Sequence, residues 1–261
     1  MRRTYVDGRW GQVHVRIAGS GTPLVLLHQS PLSGDQFAPA MPRLADAGFK
    51  VFALDMPGYG ASDAPPAVAS VPEHADALAI ALDALGLERV NLLGNHTGAA
   101  IAAAFAAGPH GRRVDRLVLN GVPYLSDEER AHFATFRFSE LAPRADGAHL
   151  MDAWNQRLKA SPGWSDLEAM HRHCVTMLGN PKRYFWAFEG VFAHDVKADL
   201  LAIETPTLVF TNTGEDLYEA SRRTVALRPD WDFAALEGGT HDIVDEQPEG
   251  WAATVAGWLR G

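Results

Sequence analysis

The sequence contains a single cysteine, Cys174, among its 261 residues. One thiol cannot form an internal disulfide, which is consistent with a reducing, cytoplasmic location. Cys174 lies in no Cys-X-X-Cys motif and in no strand-to-helix turn, so we interpret it as a buried structural thiol rather than a nucleophile.

Basic residues are fewer than acidic ones: 23 lysines and arginines against 32 acidic residues give a net charge of −9. This charge argues against nucleic acid or an anionic membrane surface as a partner.

Long hydrophobic runs are absent as well. The most apolar run, residues 99–107, is too short to cross a bilayer. No apolar stretch follows Arg2 and Arg3, as it would in a signal peptide. Hydrophobic residues nevertheless make up 47% of the chain, enough for a substantial core. We therefore expect a cytoplasmic protein whose partner is a small molecule, and the composition leaves a homodimer open.

Short apolar runs alternate with helical patterns over most of the chain. Strands are predicted at residues 13–18, 24–27, 50–54, 90–93, 117–119, 207–210 and 233–236. Helices are predicted between them at residues 37–47, 72–85, 97–107, 220–227 and 248–259. This alternation is typical of βαβ units, and it predicts an α/β fold with a mostly parallel sheet covered by helices on both faces.

The alternation stops between residues 123 and 200, where the pattern is helical throughout. We predict a core formed by residues 1–122 and 201–261, with residues 123–200 inserted as a helical cap over a pocket. A second small helical core is the alternative, since aromatic residues at helical spacing usually pack inside. The insert holds most of the aromatic residues: Phe133, Phe136, Phe138, Trp154, Trp164, Tyr184, Phe185, Trp186, Phe188 and Phe192.

A sharp turn is predicted at residues 94–98, GNHTG, where a strand runs directly into a helix. Gly94 and Gly98 remove the side chains that would collide across such a turn, and the residue between them is strained. The turn presents the side chain of His96 beyond the carboxyl edge of the sheet, where open α/β sheets bind their ligands. A strained position of this kind is more often functional than a place where a histidine only fills space.

Four motifs in this order resemble the α/β-hydrolase fold superfamily, and the resemblance extends over nearly the whole chain. Residues 94–98 match its nucleophile elbow, and residues 27–37 (LHQSPLSGDQF) resemble its oxyanion segment. Residues 54–63 (LDMPGYGASD) and 238–241 (GGTH) look like two further family segments. The likeness is greatest to small capped esterases, haloperoxidases, dehalogenases and carbon–carbon hydrolases. It implies that His241 is the catalytic histidine and that the amides of Ser30 and Thr97 face the developing negative charge.

Two residues depart from that family pattern. Gln29 stands where glycine is usual, which places a polar side chain near the oxyanion site. His96 stands where serine, aspartate or cysteine is usual. The acid that orients His241 is either Glu215, by alignment from Pro206, or Asp216, by residue type. Asp242 is too close in sequence to orient its neighbour, so we expect it at the surface or at a helix cap.

Three functions are compatible with a histidine at the elbow. In a hydrolase acting on an ester, a lactone or a similar carbonyl compound, His96 attacks the carbonyl or, with His241, activates water. We prefer water, because the outer imidazole nitrogen lies about 2 Å farther from the backbone than a serine oxygen. A cofactor-free lyase or isomerase would use His96 and His241 as acid and base. A non-catalytic binder is the third possibility, although it has no need for His241 and its acid.

The substrate and any metal are less well defined by the sequence. The aromatic insert favours a largely apolar small molecule, with Trp154 and Trp186 as candidate contacts. We expect no metal and no cofactor. His171 and His173 are two residues apart and lie on different helix faces, and Gly58 and Gly60 are not followed by the helix start of a dinucleotide-binding motif.

Overall fold

The computed structural model of the protein describes residues 1–135 and 141–261. Eight strands form one sheet: β1 (Arg2–Gly8), β2 (Gly11–Ala18), β3 (Thr22–Leu27), β4 (Phe49–Leu54), β5 (Val90–Asn95), β6 (Val114–Asn120), β7 (Thr207–Asn212) and β8 (Asp232–Leu236). The strand order is β1-β2-β4-β3-β5-β6-β7-β8. The pairs β1–β2 and β2–β4 are antiparallel, and all other neighbours are parallel. The predicted α/β fold with a mostly parallel sheet is confirmed.

Helices cover both faces of this sheet. They are α1 (Met41–Asp46), α2 (Val71–Ala84), α3 (Thr97–Ala107), α4 (Asp127–Ala134), α5 (Ala148–Ala160), α6 (Leu167–Gly179), α7 (Trp186–Phe192), α8 (Val196–Ala202), α9 (Tyr218–Leu227), α10 (Ile243–Glu246) and α11 (Pro248–Arg260). Val25 and Leu27 of β3 pack with α2 and α3, whereas Leu24 and Leu26 pack with α1 and α11 on the other face. A strand buried on both faces has no polar side to alternate with, which explains the unbroken apolar run at residues 24–27.

Two elements differ from the sequence-based expectation. The helix predicted at 37–47 is a 3-10 helix, Gly34–Phe37, followed by α1 from Met41. Pro39 between them lacks the N–H that a continuous helix would need, and Pro42 suits the first turn of α1. The edge strand β1 was not predicted, because its residues are polar and mostly exposed, and it is held by antiparallel pairing with β2.

The insert at residues 123–200 contains α4 to α7 and most of α8, and its described residues include no strand. Helices α5 and α6 pack against each other, whereas α7 and α8 pack on α3 of the sheet domain. Phe136 and Phe138 lie outside the described residues. Over the described ranges 1–135 and 141–261, none of the helices combines the length and the apolar character needed to span a membrane.

Candidate active site

The turn between β5 and α3 has the geometry of a nucleophile elbow. His96 has φ 48° and ψ −106°, and it is the only non-glycine residue in the described part of the chain with a positive φ. A Cβ on Gly94 would lie 2.1 Å from the carbonyl oxygen of Gly98, and one on Gly98 would lie 2.2 Å from that of Leu27. Both glycines are therefore required for the chain to pass through this turn.

The imidazole of His96 lies between a second histidine and a carboxylate. Its Nδ1 is 2.9 Å from Nε2 of His241, and its Nε2 is 2.6 Å from Oε2 of Glu215. Gly121, at the end of β6, makes room for the ring, since a Cβ there would lie 2.2 Å from Cδ2 of His96. His96 is buried, with 4% of its surface exposed, and both of its ring nitrogens have a protein partner. The ring is thus bound at both ends before any ligand arrives.

The two neighbouring acids bind different histidines. Oδ1 of Asp216 lies 2.9 Å from Nδ1 of His241, so Asp216 orients that ring. Glu215 binds His96 instead, and its second carboxylate oxygen accepts a hydrogen bond from the hydroxyl of Thr211. The sequence left Glu215 and Asp216 as alternatives for one role, and the structure places both beside the imidazole pair. Thr211 carried no sequence signal, because an end-of-strand threonine is common.

The acid–histidine contact changes the proton affinity of both partners. Burial alone would lower the pKa of His241, but the negative charge and the hydrogen bond of Asp216 outweigh burial and raise it above its ordinary value. Partial desolvation alone would raise the pKa of Asp216. The charge and hydrogen bond of His241 outweigh it and hold the pKa of this carboxyl well below its usual range. Asp216 is therefore ionised at neutral pH, and His241 binds a proton more readily than a free imidazole does.

The hydrogen bonds determine how many protons the four groups hold. An ionised carboxylate only accepts, so His241 donates from Nδ1 to Asp216 and His96 donates from Nε2 to Glu215. The facing nitrogens of the two rings, 2.9 Å apart, form a hydrogen bond only if one further proton lies between them. Without that proton, two lone pairs face each other across a part-buried gap. The arrangement therefore favours one proton shared between the two rings, which suits the pair to proton transfer.

The oxyanion segment is arranged differently from the family expectation. The outer nitrogen of His96 faces Glu215 and not the amides of Ser30 and Thr97. The Ser30 N–H donates to Oγ1 of Thr97 at 3.3 Å, so one expected oxyanion donor already has an acceptor. The Thr97 N–H opens α3 and, like other N–H groups of a first helical turn, has no intrahelical partner. Both residues are buried, and the hydrogen bond between them connects the segment after β3 to the elbow.

Gln29 lies deeper than we expected for a substrate-binding residue. Its side chain is fully buried and hydrogen-bonds Asn95 and Asp242 instead of facing the cleft. Asp242 occupies the N-cap position of α10, one of the two places expected for it, but not the surface: it is 1% exposed and its side chain pairs with Arg157 of α5. A long-range ion pair to the insert cannot be predicted from the residues around Asp242, which is why sequence reasoning missed it.

A cleft of about 680 Å³ opens between the sheet domain and the insert. His241, Glu215 and Asp216 line this cleft, and much of the remaining wall is aromatic or apolar. Trp154 and Trp186 are not among the lining residues; Trp186 instead packs against the guanidinium of Arg183. The cleft is lined by Ser30, Pro31, Phe133, Gln156, Arg157, Lys159, Ala160, Pro162, Met177, Tyr184, Phe188, Phe192, Gly214, Glu215, Asp216, Thr240 and His241.

His96, Glu215 and His241 also form a group whose ligand atoms lie within 4.8 Å of one another, close enough to be considered for a metal ion. Two histidines and a carboxylate are a common metal-binding set. His96, however, presents opposite nitrogens to the other two residues. A single ion would contact all three only after the His96 ring had turned away from one partner, so the present arrangement fits proton transfer better.

The fold and the elbow place the chain in a known family. A model of the alpha/beta hydrolase fold family matches residues 22–169, more than half of the chain, and the protein belongs to this family. The solved structures that resemble it over its whole length include a bromoperoxidase from Bacillus anthracis, with a TM-score of 0.86 and 20% identity over 100% of both chains. An enol-lactonase from Burkholderia xenovorans LB400 has a TM-score of 0.81 and 20% identity over 99% of this chain and 100% of that one. At these identities the likeness concerns the fold.

Curated relatives match a shorter region. The chain is 41% identical over 116 residues to 2-hydroxy-6-oxononadienedioate/2-hydroxy-6-oxononatrienedioate hydrolase 2 of Pseudomonas putida. That match covers 42% of this chain and 40% of the relative. The matched region thus spans less than half the length of this relative.

Proposed function

We propose that the protein is a hydrolase of small, largely apolar carbonyl compounds, such as esters or lactones, in which His96 and His241 activate water. The observation that carries this proposal is the 2.9 Å contact between the imidazoles of His96 and His241, the second of which lines a largely aromatic and apolar cleft. Residues 123–200 act as the cap that supplies the apolar wall, and residues 1–122 with 201–261 act as the core. The relationship to a 2-hydroxy-6-oxononadienedioate hydrolase supports hydrolysis as the reaction type.

His241 is the imidazole that reaches the cleft, so we assign it the role of base. With the shared proton absent, its Nε2 turns from Nδ1 of His96 toward the cleft and takes a proton from a water molecule, and the resulting hydroxide attacks the carbonyl carbon. Asp216 holds the ring and stabilises the imidazolium that forms. The proton then returns to the leaving oxygen when the tetrahedral intermediate breaks down.

His96 supports this step from behind the cleft. Its Nδ1 can hold the proton that His241 gains, while its Nε2 remains bound to the buried carboxylate of Glu215. A direct attack by His96 would require the ring to leave His241 or Glu215, and would leave that partner without its hydrogen bond. Water activation needs a smaller change, in which Nε2 of His241 turns from His96 toward the cleft that it already lines, and we therefore prefer it to an acyl-imidazole.

The test is turnover of a panel of p-nitrophenyl esters and lactones by the wild type and by His96→Ala and His241→Ala. Each substitution is expected to lower kcat/KM by at least about 100-fold, the usual contribution of a general base. His110→Ala is the matched control, since His110 lies outside the site and pairs with Asp76. Wild type without turnover, or His96→Ala with unchanged turnover, would refute the proposal. Intact-mass spectra during turnover should contain no acyl adduct.

A second candidate is a cofactor-free lyase or isomerase that uses the same imidazole pair. The observation in its favour is the Ser30 N–H, which already donates to Thr97 and is less available to a tetrahedral oxyanion. Proton transfer next to a carbonyl needs the paired bases but relies less on that amide. Exchange of deuterium from D₂O into a carbonyl ligand, without hydrolysis and dependent on His241, would favour this candidate.

A further inference from the structure

Asp242, the residue after the candidate base His241, lies buried where the cap meets the core. Its Oδ1 accepts a hydrogen bond from Nε2 of Gln29 at 3.2 Å. Its Oδ2 accepts hydrogen bonds from Arg157 and from Ser161, which lie on α5 and at its C-terminal end. The carboxylate of Asp242 thus contacts both the insert and the oxyanion segment, and Asp242 directly follows His241 in the sequence.

Gln29 continues this network to the elbow. Its Oε1 accepts a hydrogen bond from Nδ2 of Asn95 at 3.1 Å, and Asn95 directly precedes His96. The usual glycine at position 29 could form neither of these side-chain hydrogen bonds. The departure from the family pattern at Gln29 therefore connects Asp242 to the turn that carries His96.

Arg157 makes the network an ion pair. Its side chain is 4% exposed, that of Asp242 is fully buried, and the two are in direct contact. The Nε of Arg157 has no hydrogen-bond partner among the described residues, and the acid paired with its guanidinium is Asp242. A buried ion pair tolerates the loss of both charges far better than the loss of one, because a single remaining charge is left without compensation.

We propose that Asp242 is the positioning residue of this site: it fixes the insert and Gln29 beside His241, and with Arg157 it forms a balanced charge pair next to that imidazole. The proposal rests on the proposed function only in treating His241 as the base. It extends that function by coupling the position of the insert to the proton affinity of the imidazole pair.

The charges around His241 support an electrostatic effect of this pair. Asp216 and His96 bind its two nitrogens, and Glu215 faces it through His96. Beyond burial and the contact with Asp216, the charge of Asp242 raises the pKa of His241 and the charge of Arg157 lowers it. His173 also approaches Asp242, with 3.5 Å between Nδ1 of His173 and Oδ1 of Asp242.

The experiment is an NMR titration of His241 in the full chain with ¹³C-labelled histidine, the signal being assigned by its loss in His241→Ala. Asp242→Asn leaves Arg157 as the uncompensated charge, so the pKa of His241 should fall by on the order of one unit, a tenfold change in protonation constant. Arg157→Met leaves Asp242 uncompensated, so the pKa should rise by a similar amount. The double variant should titrate near the wild type.

Asp245→Asn is the matched control, because Asp245 is also buried and also pairs with the insert, through Arg172 and His173. It should lower thermal stability and leave the His241 titration unchanged. Equal titrations in Asp242→Asn and Asp245→Asn, or shifts of the same sign in Asp242→Asn and Arg157→Met, would overturn the proposal. If a single variant does not fold, the double variant decides: a shift of a full unit in it contradicts a balanced pair. Because the titration needs no turnover, an inactive wild type would refute the hydrolase proposal alone.

Discussion

Gly121 gives the sharpest prediction about the imidazole pair. It follows β6 with φ 60°, and an ideal Cβ at this position would lie 2.2 Å from Cδ2 and 2.4 Å from Nε2 of His96. The same Cβ would lie 3.1 Å from Oε2 of Glu215. In Gly121→Ala the His96 ring must therefore retreat by about 1 Å to reach an ordinary contact of ~3.5 Å. The backbone of the elbow cannot shift to relieve this contact, because Gly94 and Gly98 already pack closely against main-chain atoms.

The cost has two parts. An alanine in the left-handed region costs about 1–2 kcal/mol. Weakening the hydrogen bond between His96 and the buried Glu215 adds about 1.5–3 kcal/mol. Together these predict a loss of about 2.5–5 kcal/mol in the free energy of unfolding, or a Tm lower by ~5–20 °C for a chain of this size. Displacing the ring by 1 Å should lower kcat/KM by about 100-fold.

The assay is thermal unfolding together with turnover of the best ester or lactone substrate. Gly86→Ala is the matched control, because Gly86 has φ 67° and no atom within 4 Å of its ideal Cβ. This control isolates the backbone strain, and we expect it to lower Tm by only ~2–8 °C and to keep full activity. If Gly121→Ala matches Gly86→Ala in both Tm and activity, the contact with His96 does not matter and the reasoning is refuted.

Three further predictions concern the base, the cleft and metals. Asp216→Asn removes the charge that raises the pKa of His241. The acid limb of the pH–kcat/KM profile should therefore move to lower pH by about one unit. An acid limb that stays in place or moves to higher pH contradicts the assignment of His241 as the base. Phe192→Ala should raise KM, because Phe192 lines the cleft. Trp154→Ala should leave KM within about twofold, because Trp154 does not line it. Equal effects of the two substitutions on KM would mean that the substrate binds elsewhere. Activity should survive exhaustive treatment with EDTA, and a loss restored by a stoichiometric divalent metal would mean that the His96 ring turns to ligate it.

Much of the fold could be predicted from the sequence because its signals are local. Short runs of three to six residues predicted the central strands, and helix α3 has the predicted bounds of 97–107. The elbow was predictable for the same reason, since Gly94 and Gly98 collide with main-chain atoms if they carry a Cβ, whatever the substrate. Exposed β1 gave no such signal, because pairing at a sheet edge needs only backbone groups.

The two histidines and two acids of the candidate site could be predicted from the sequence, but their contacts and the cleft wall could not, since Trp154 and Trp186 do not line the cleft. The sequence by itself determined the strained turn at His96 and the positions of His241, Glu215 and Asp216 at the ends of neighbouring elements. Only the tertiary structure decided that Glu215 binds His96 while Asp216 binds His241, because one residue of difference in a loop changes which ring a carboxylate reaches. It also decided that Gln29 is buried against Asp242 and that Arg157 of the insert neutralises this acid. Those partners are separated by 85 to 213 residues, and contacts over such distances depend on how layers pack rather than on any local pattern.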